Sequence, residues 1–193
     1  AAINQIAAIN AGRPESAKDH VCLITYDTTT GTAVRYPLST TSCDYNALKN
    51  SVATIQAAAD DAQNTASESG LIRAKSHLDP TANPTGARPA ASKVVVFLSD
   101  GIANVKESSN TTISNYITSK PSSDWFTSSS FQYERNAAIM QAYAMQLLGY
   151  RVYPVGVGLG ADRSLMDRMA RIAQTAIPDP NNPNGPKVSS YSS

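Results

Sequence analysis

Asp100 closes one of the most apolar runs of the chain. In "VVVFLSDGIAN" the stretch Val94–Leu98 runs without a polar break into Ser99-Asp100-Gly101. An apolar run of that length is a buried strand, and it delivers a carboxylate to its own end. Gly101 lets the chain turn away beside it. The ordinary use of such an aspartate is to cap the following turn. A second hard oxygen stands at Thr65, in a polar loop just ahead of Gly70-Leu71. A hydroxyl and a carboxylate brought to one sheet rim suit Mg²⁺ or Mn²⁺.

Other chemistry is thinly represented. Ser99 and Asp100 would need a histidine to act as a nucleophile pair. The chain has 2 histidines. His20 precedes a strand and His77 lies late in a helix, so both are expected on the surface and away from the rim. The run "GVGLG" at Gly156–Gly160 has the look of a dinucleotide loop. The fingerprint, however, requires G-x-G-x-x-G after the first strand of the unit, and this run follows a late one. A nucleotide-dependent Rossmann-like enzyme is therefore the weakest reading. Cys22 and Cys43 form no CxxC metal pattern; two buried thiols or a single disulfide both remain open.

Several elements must position Thr65 and Asp100. "AAINQIAAIN" reads as the body of a helix, with Ile3, Ile6 and Ile9 at helical spacing and no cap before it. This suggests that sequence lies upstream. Residues 21–26 and 32–38 read as a hairpin around "DTTTGT", the second strand an edge because of Pro37. Asp44 caps a helix carrying Leu48, Val52, Ile55 and Ala59. Leu71, Ala74 and Leu78 mark another helix. Residues 93–98 and 151–157 are strands. Met140, Ala144 and Leu147 mark the helix between them, and Asp162 caps a last helix with Leu165, Met169 and Ile172. Residues 104–133 form a long polar insertion, and the tail 177–193 is Pro/Ser-rich and disordered or extended. Strands alternating with helices predict an α/β fold, mainly a parallel sheet with one antiparallel edge strand and helices on both faces. In such sheets ligands bind at the carboxyl ends of the strands.

Composition excludes some partners. The chain has 193 residues, a formal net charge of +1 and 16% charged residues, with no basic run. That gives no electrostatic grip on nucleic acid. No apolar stretch is long enough to span a bilayer. The abundance of Ser, Thr and Asn, with a sequon at Asn110-Thr111-Thr112, fits an extracellular or cell-surface setting.

Together, "TASESGLIRAKSHL", "KVVVFLSDG" and "GYRVYPVGVG" resemble the von Willebrand factor A (vWA) domain, over roughly residues 1–176. "FLSDGIANV" followed by "NAAIMQAYAMQLLGYRVYPVGVG" is similar to the bacterial type found in Tad-type pilus assembly proteins. The resemblance implies a Rossmann-like vWA sheet and no enzymatic activity. Thr65 matches the family's second metal loop and Asp100 its third. It also implies an adhesion or assembly module that binds a protein ligand, whose carboxylate completes the metal shell. The family's Asp-x-Ser-x-Ser, carried at the end of its first central strand, is missing from this chain. The last strand and last helix are expected to be missing too. A strand lying between 21–26 and 93–98 would then come from elsewhere in the polypeptide or from a neighbouring subunit. A structural filament subunit with a vestigial metal site is the alternative.

Overall fold

The computed structural model describes residues 1–55, 64–127 and 132–192. The order is α1 (Ala2–Ile9), a short 3₁₀ turn (Glu15–Ala17), β1 (Leu23–Thr25), β2 (Ala33–Tyr36), α2 (Tyr45–Ala53), α3 (Ser67–Leu78), β3 (Val94–Ser99), α4 (Asn110–Ser119), α5 (Gln132–Leu147), β4 (Arg151–Val157), α6 (Arg163–Ile172) and β5 (Ser190–Ser192). The predicted strands are all present: the two hairpin strands are shorter than expected, 93–98 is shifted by one residue and 151–157 is reproduced in full. Ala59 and Phe131, assigned above to a helix and to the insertion, lie outside the described residues.

Local chemistry sets the helix starts. Asp44 accepts from the amides of Asn46 at 2.9 Å and Ala47 at 3.0 Å, and Asp162 accepts from Leu165 at 3.1 Å. Each satisfies donors that the first turn leaves without intrahelical partners. Ser109 does the same for α4 through Thr112 at 3.1 Å. That helix lies inside the predicted irregular insertion. Its inner face is fixed by Ile113, which is fully buried. The rest of the insertion packs down through Trp125, whose indole donates to Lys120 O at 2.7 Å. Asn136 holds it with a pair of 2.9 Å bonds to the Phe126 backbone.

β1 and β2 pair antiparallel, while β3, β4 and β5 form a parallel sheet in that order. The tail thus departs from expectation. It folds back through mutual Ile177–Val188 backbone bonds and supplies the strand beyond β4. Asp167 fixes the return by accepting from the amide and hydroxyl of Ser189 at 2.8 and 3.0 Å. Proline removed donors from this segment, but the pairing residues Val188–Ser192 contain none.

One face of the parallel sheet carries the core. Phe97 and Val152 pack with Leu71 of α3, Ala138, Ile139 and Met145 of α5, and Leu165, Met166 and Met169 of α6. Burying each large apolar side chain contributes roughly 1.5–3 kcal/mol. The other face of β3 differs: Val94, Val96 and Leu98 are 49%, 61% and 56% exposed, against 4% for Phe97. The sequence predicted both faces buried. Among the described residues no strand pairs with the free edge of β3, and no Cα of β1 comes within 8 Å of one in β3. Hydrogen-bonded neighbours lie about 4.7–4.9 Å apart.

Candidate metal site at the sheet rim

β3 ends at Ser99, so Asp100 stands at the carboxyl rim of the parallel sheet. The turn that follows is held by Ser99 rather than by Asp100. The Ser99 hydroxyl donates to Gly101 O at 3.3 Å and accepts from Gly101 N at 3.5 Å. The Asp100 carboxylate is exposed and, among the described residues, takes no part in capping.

Thr65 arrives at the same place from another loop. Its amide donates to Asn104 Oδ1 at 2.7 Å, and Asn104 N donates back to Thr65 O at 3.3 Å. A Cβ built on Gly101 would lie 3.0 Å from Thr65 Oγ1. The Thr65 hydroxyl therefore packs directly against the residue after Asp100. This, rather than a left-handed turn, is what Gly101 provides: the positive-φ glycines are Gly12, Gly149 and Gly158. The glycines after β4 serve the rim as well. A Cβ on Gly160 would sit 2.7 Å from the Asp100 carbonyl oxygen, so the loop can close over Asp100 only as glycine.

The hairpin closes the third side. Ala66 N donates to Asp27 O at 2.9 Å. Tyr26 reaches across the space between β1 and β3: its ring stacks on Phe97 at 5.2 Å, and its hydroxyl donates to Leu98 O at 2.5 Å. Gly70 makes room for that ring, since a Cβ there would lie 2.8 Å from Tyr26 Cδ1. Burial pushes the Tyr26 phenol well above its ordinary value; the Ser99 side chain opposes this and the negative Asp100 adds to it.

Sequence reasoning missed the roles of Tyr26 and Asn104, and saw Gly160 only within the glycine run "GVGLG". Asn104 was visible only as the end of "FLSDGIAN". The others act on residues distant in sequence. His20 is a correction. Its side chain is 4% exposed, with Nδ1 against Ser39 O and Nε2 3.4 Å from Glu15 Oε1. The 3₁₀ turn and the segment after β2 enclose it. His77 bonds to Arg73 O within α3, away from the rim. Cys22 and Cys43 are free thiols, and burial pushes Cys22 up to about 11, partly offset by a backbone hydrogen bond from Leu38.

The rim offers hard oxygens of the right kind for a small divalent cation in the Asp100 carboxylate and the Thr65 hydroxyl; the Ser67 hydroxyl, two residues after Thr65, is buried with no hydrogen-bond partner among the described residues. The set is short of charge. Among the described residues no group of three His, Cys, Asp or Glu side chains is placed to hold a metal. Mg²⁺ commonly takes one or two carboxylates and keeps several waters, so the donors fit in kind.

The arrangement from α1 through α6 falls within a family model. Residues 2–182 match the von Willebrand factor type A domain. The chain belongs to that family. Three solved structures share the vWA fold at low identity. One is proximal thread matrix protein 1 of the mussel byssus (11% identity, TM-score 0.53, 86% of this chain and 34% of that one). Another is the manganese-loaded TRAP protein of Plasmodium vivax (18%, 0.54, 97% and 58%). The third is the vWF domain of the type V pili tip protein Mfa5 of Porphyromonas gingivalis (15%, 0.55, 89% and 75%). The chain thus spans about a third of the byssus protein and 58% of the TRAP chain. No curated protein sequence matches it. No helix among the described residues is long and apolar enough to cross a membrane.

Proposed function

We propose that this vWA domain is a non-enzymatic, protein-binding module for adhesion or assembly at a cell surface, of the bacterial pilus-associated type. Its ligand-facing rim holds Mg²⁺ or Mn²⁺ through Thr65 and Asp100. The observation that carries this reading is the packing of the Thr65 hydroxyl against Gly101, beside an Asp100 carboxylate that is not used for capping. The manganese-loaded TRAP protein supports the metal, and the pilus tip protein supports the setting. Bound there, the cation supplies a positive centre for a carboxylate of a protein ligand. Thr65 and Asp100 contribute oxygens, Asn104 fixes the Thr65 backbone, and Gly160 shapes the wall.

The open edge of β3 belongs to the same reading. A strand from outside the described residues, contributed by the same polypeptide or by a neighbouring subunit, pairs parallel to β3 in the space now spanned by Tyr26. It covers backbone groups that would each cost about 1–3 kcal/mol if buried unpaired. Such a strand also brings the oxygens the rim lacks. If it carries none, the domain is a structural filament subunit with a vestigial site, a reading favoured by the short donor set.

Calorimetric titration of Mn²⁺ into the native protein tests the metal reading. Saturable binding is expected, weakened about ten-fold or more by Thr65→Ala and by Asp100→Ala. Absence of saturable binding, or binding indifferent to both substitutions, leaves the scaffold reading.

A further inference from the structure

Glu68, the second residue of α3, is fully buried, and no Lys, Arg or His among the described residues forms an ion pair with it. An isolated carboxylate in such a place is expensive unless its oxygens are saturated with hydrogen bonds. They are. Oε2 accepts from the amides of Glu107 at 2.7 Å and Ser108 at 2.9 Å. Oε1 accepts from the Ser108 hydroxyl and from Gln141 Nε2 at 3.2 Å. Gln141 is turned the right way by Lys75, whose ammonium donates to Gln141 Oε1 at 3.0 Å. The Lys75 charge thus orients an amide whose N–H end faces Glu68. The first turn of α3 adds the favourable end of the helix dipole.

The partners are what matter. Glu68 follows Thr65 by one turn of chain, and Glu107-Ser108 end the loop that begins at Asp100. Glu68 therefore ties the loop bearing Thr65 to the loop bearing Asp100 from beneath, as Asn104 ties them at the surface. We propose that Glu68 is the positioning residue of the rim: it sets the separation of Thr65 and Asp100 and thereby the affinity for the cation. The metal part of this statement rests on the reading above; the loop-latching part does not.

The test uses the native protein with Glu68→Ala, Glu68→Gln and Ser108→Ala. Three quantities are measured: Mn²⁺ affinity, the thermal melt, and amide hydrogen exchange at Thr65, Asn104, Glu107 and Ser108. Glu68→Ala deletes every acceptor. It is expected to weaken Mn²⁺ about ten-fold or more, the usual effect of losing a group that orients a metal ligand. It also speeds exchange at Glu107 and Ser108 and, further off, at Thr65 and Asn104. Glu68→Gln keeps one oxygen for the two amides and restores most of the affinity. Should the alanine variant not fold, Glu68→Gln and Ser108→Ala give smaller shifts in the same direction at the same amides. Folded variants with wild-type Mn²⁺ affinity and wild-type exchange at Thr65 and Asn104 overturn the proposal. If the wild type itself takes no Mn²⁺, the metal reading has failed separately. The latch then stands if faster exchange reaches Thr65 and Asn104, and falls if it stays confined to Glu107 and Ser108.

Discussion

At the scale of single residues, Gly101 separates metal chemistry from stability. A Cβ there would approach Thr65 Oγ1 to 3.0 Å, which forces the hydroxyl to give by a few tenths of an ångström. Gly101→Ala should weaken Mn²⁺ several-fold while changing unfolding free energy by less than about 1 kcal/mol, since only a rim side chain moves. Calorimetry and a urea melt on one sample check both halves. Tyr26 and Cys22 make a pH prediction. Burial raises both groups above their ordinary values of 10.0 and 9.0. Each is neutral when protonated, so the stabilisation is complete below about pH 9 and drains away as pH rises through the folded values. The urea midpoint should fall between pH 8 and pH 11, and Tyr26→Phe should shrink that fall. An equally steep decline in the variant would exclude Tyr26 as a source. The meeting of Thr65 and the Asp100 loop at one rim was legible from the two loop contexts. Asn104 and Glu68 were not, because their partners lie 39 or more positions away. A surface assignment for His20 failed because Ser39, 19 positions on, and the turn carrying Glu15 fold over it.

At the scale of elements, α3 is the piece on which the rim depends, and Gly70 is its tightest point. Alanine would gain up to about 1 kcal/mol of helix propensity. It would also drive a methyl into the Tyr26 ring at 2.8 Å, and such overpacking costs about 1–3 kcal/mol. Packing should win: Gly70→Ala is expected to lower the melting temperature by a few degrees. A higher melting temperature would mean that Tyr26 is free to move. The end of α6 offers the opposite case. Gln174 sits at φ 57, a left-handed conformation that costs a non-glycine residue about 1–2 kcal/mol. Gln174→Gly should raise stability by about 0.5–1 kcal/mol, less the entropy glycine loses. Helix starts were readable wherever an aspartate supplied the cap, as at Asp44 and Asp162. α4 was not, because "NTTISNYITS" has weak helix propensity and owes its place to Ser109 and to the burial of Ile113. β5 was hidden by the prolines before it, and it is set by Asp167 and by the Ile177–Val188 pairing.

At the scale of the whole molecule, the alternation of strands and helices gave the α/β class and the parallel sheet directly. It could not give the state of the free β3 edge, because an apolar run shows that a segment is extended and not which backbone groups find partners. Hydrogen exchange over Val94–Ser99 in the native protein reads that edge. Uniform protection is expected if an added strand pairs there, and fast exchange at alternate amides would mean that Tyr26 alone closes the gap. The central claim, that the carboxyl rim of this vWA sheet gathers Thr65 and Asp100 around one cation, is met most directly by anomalous diffraction from a Mn²⁺-soaked crystal of the native protein. The account predicts a single peak at the rim, with Asp100 and Thr65 oxygens within about 2.0–2.6 Å or one water further away. Ordered loops with no peak there, or with those oxygens more than about 8 Å apart and so beyond one shell, would contradict it.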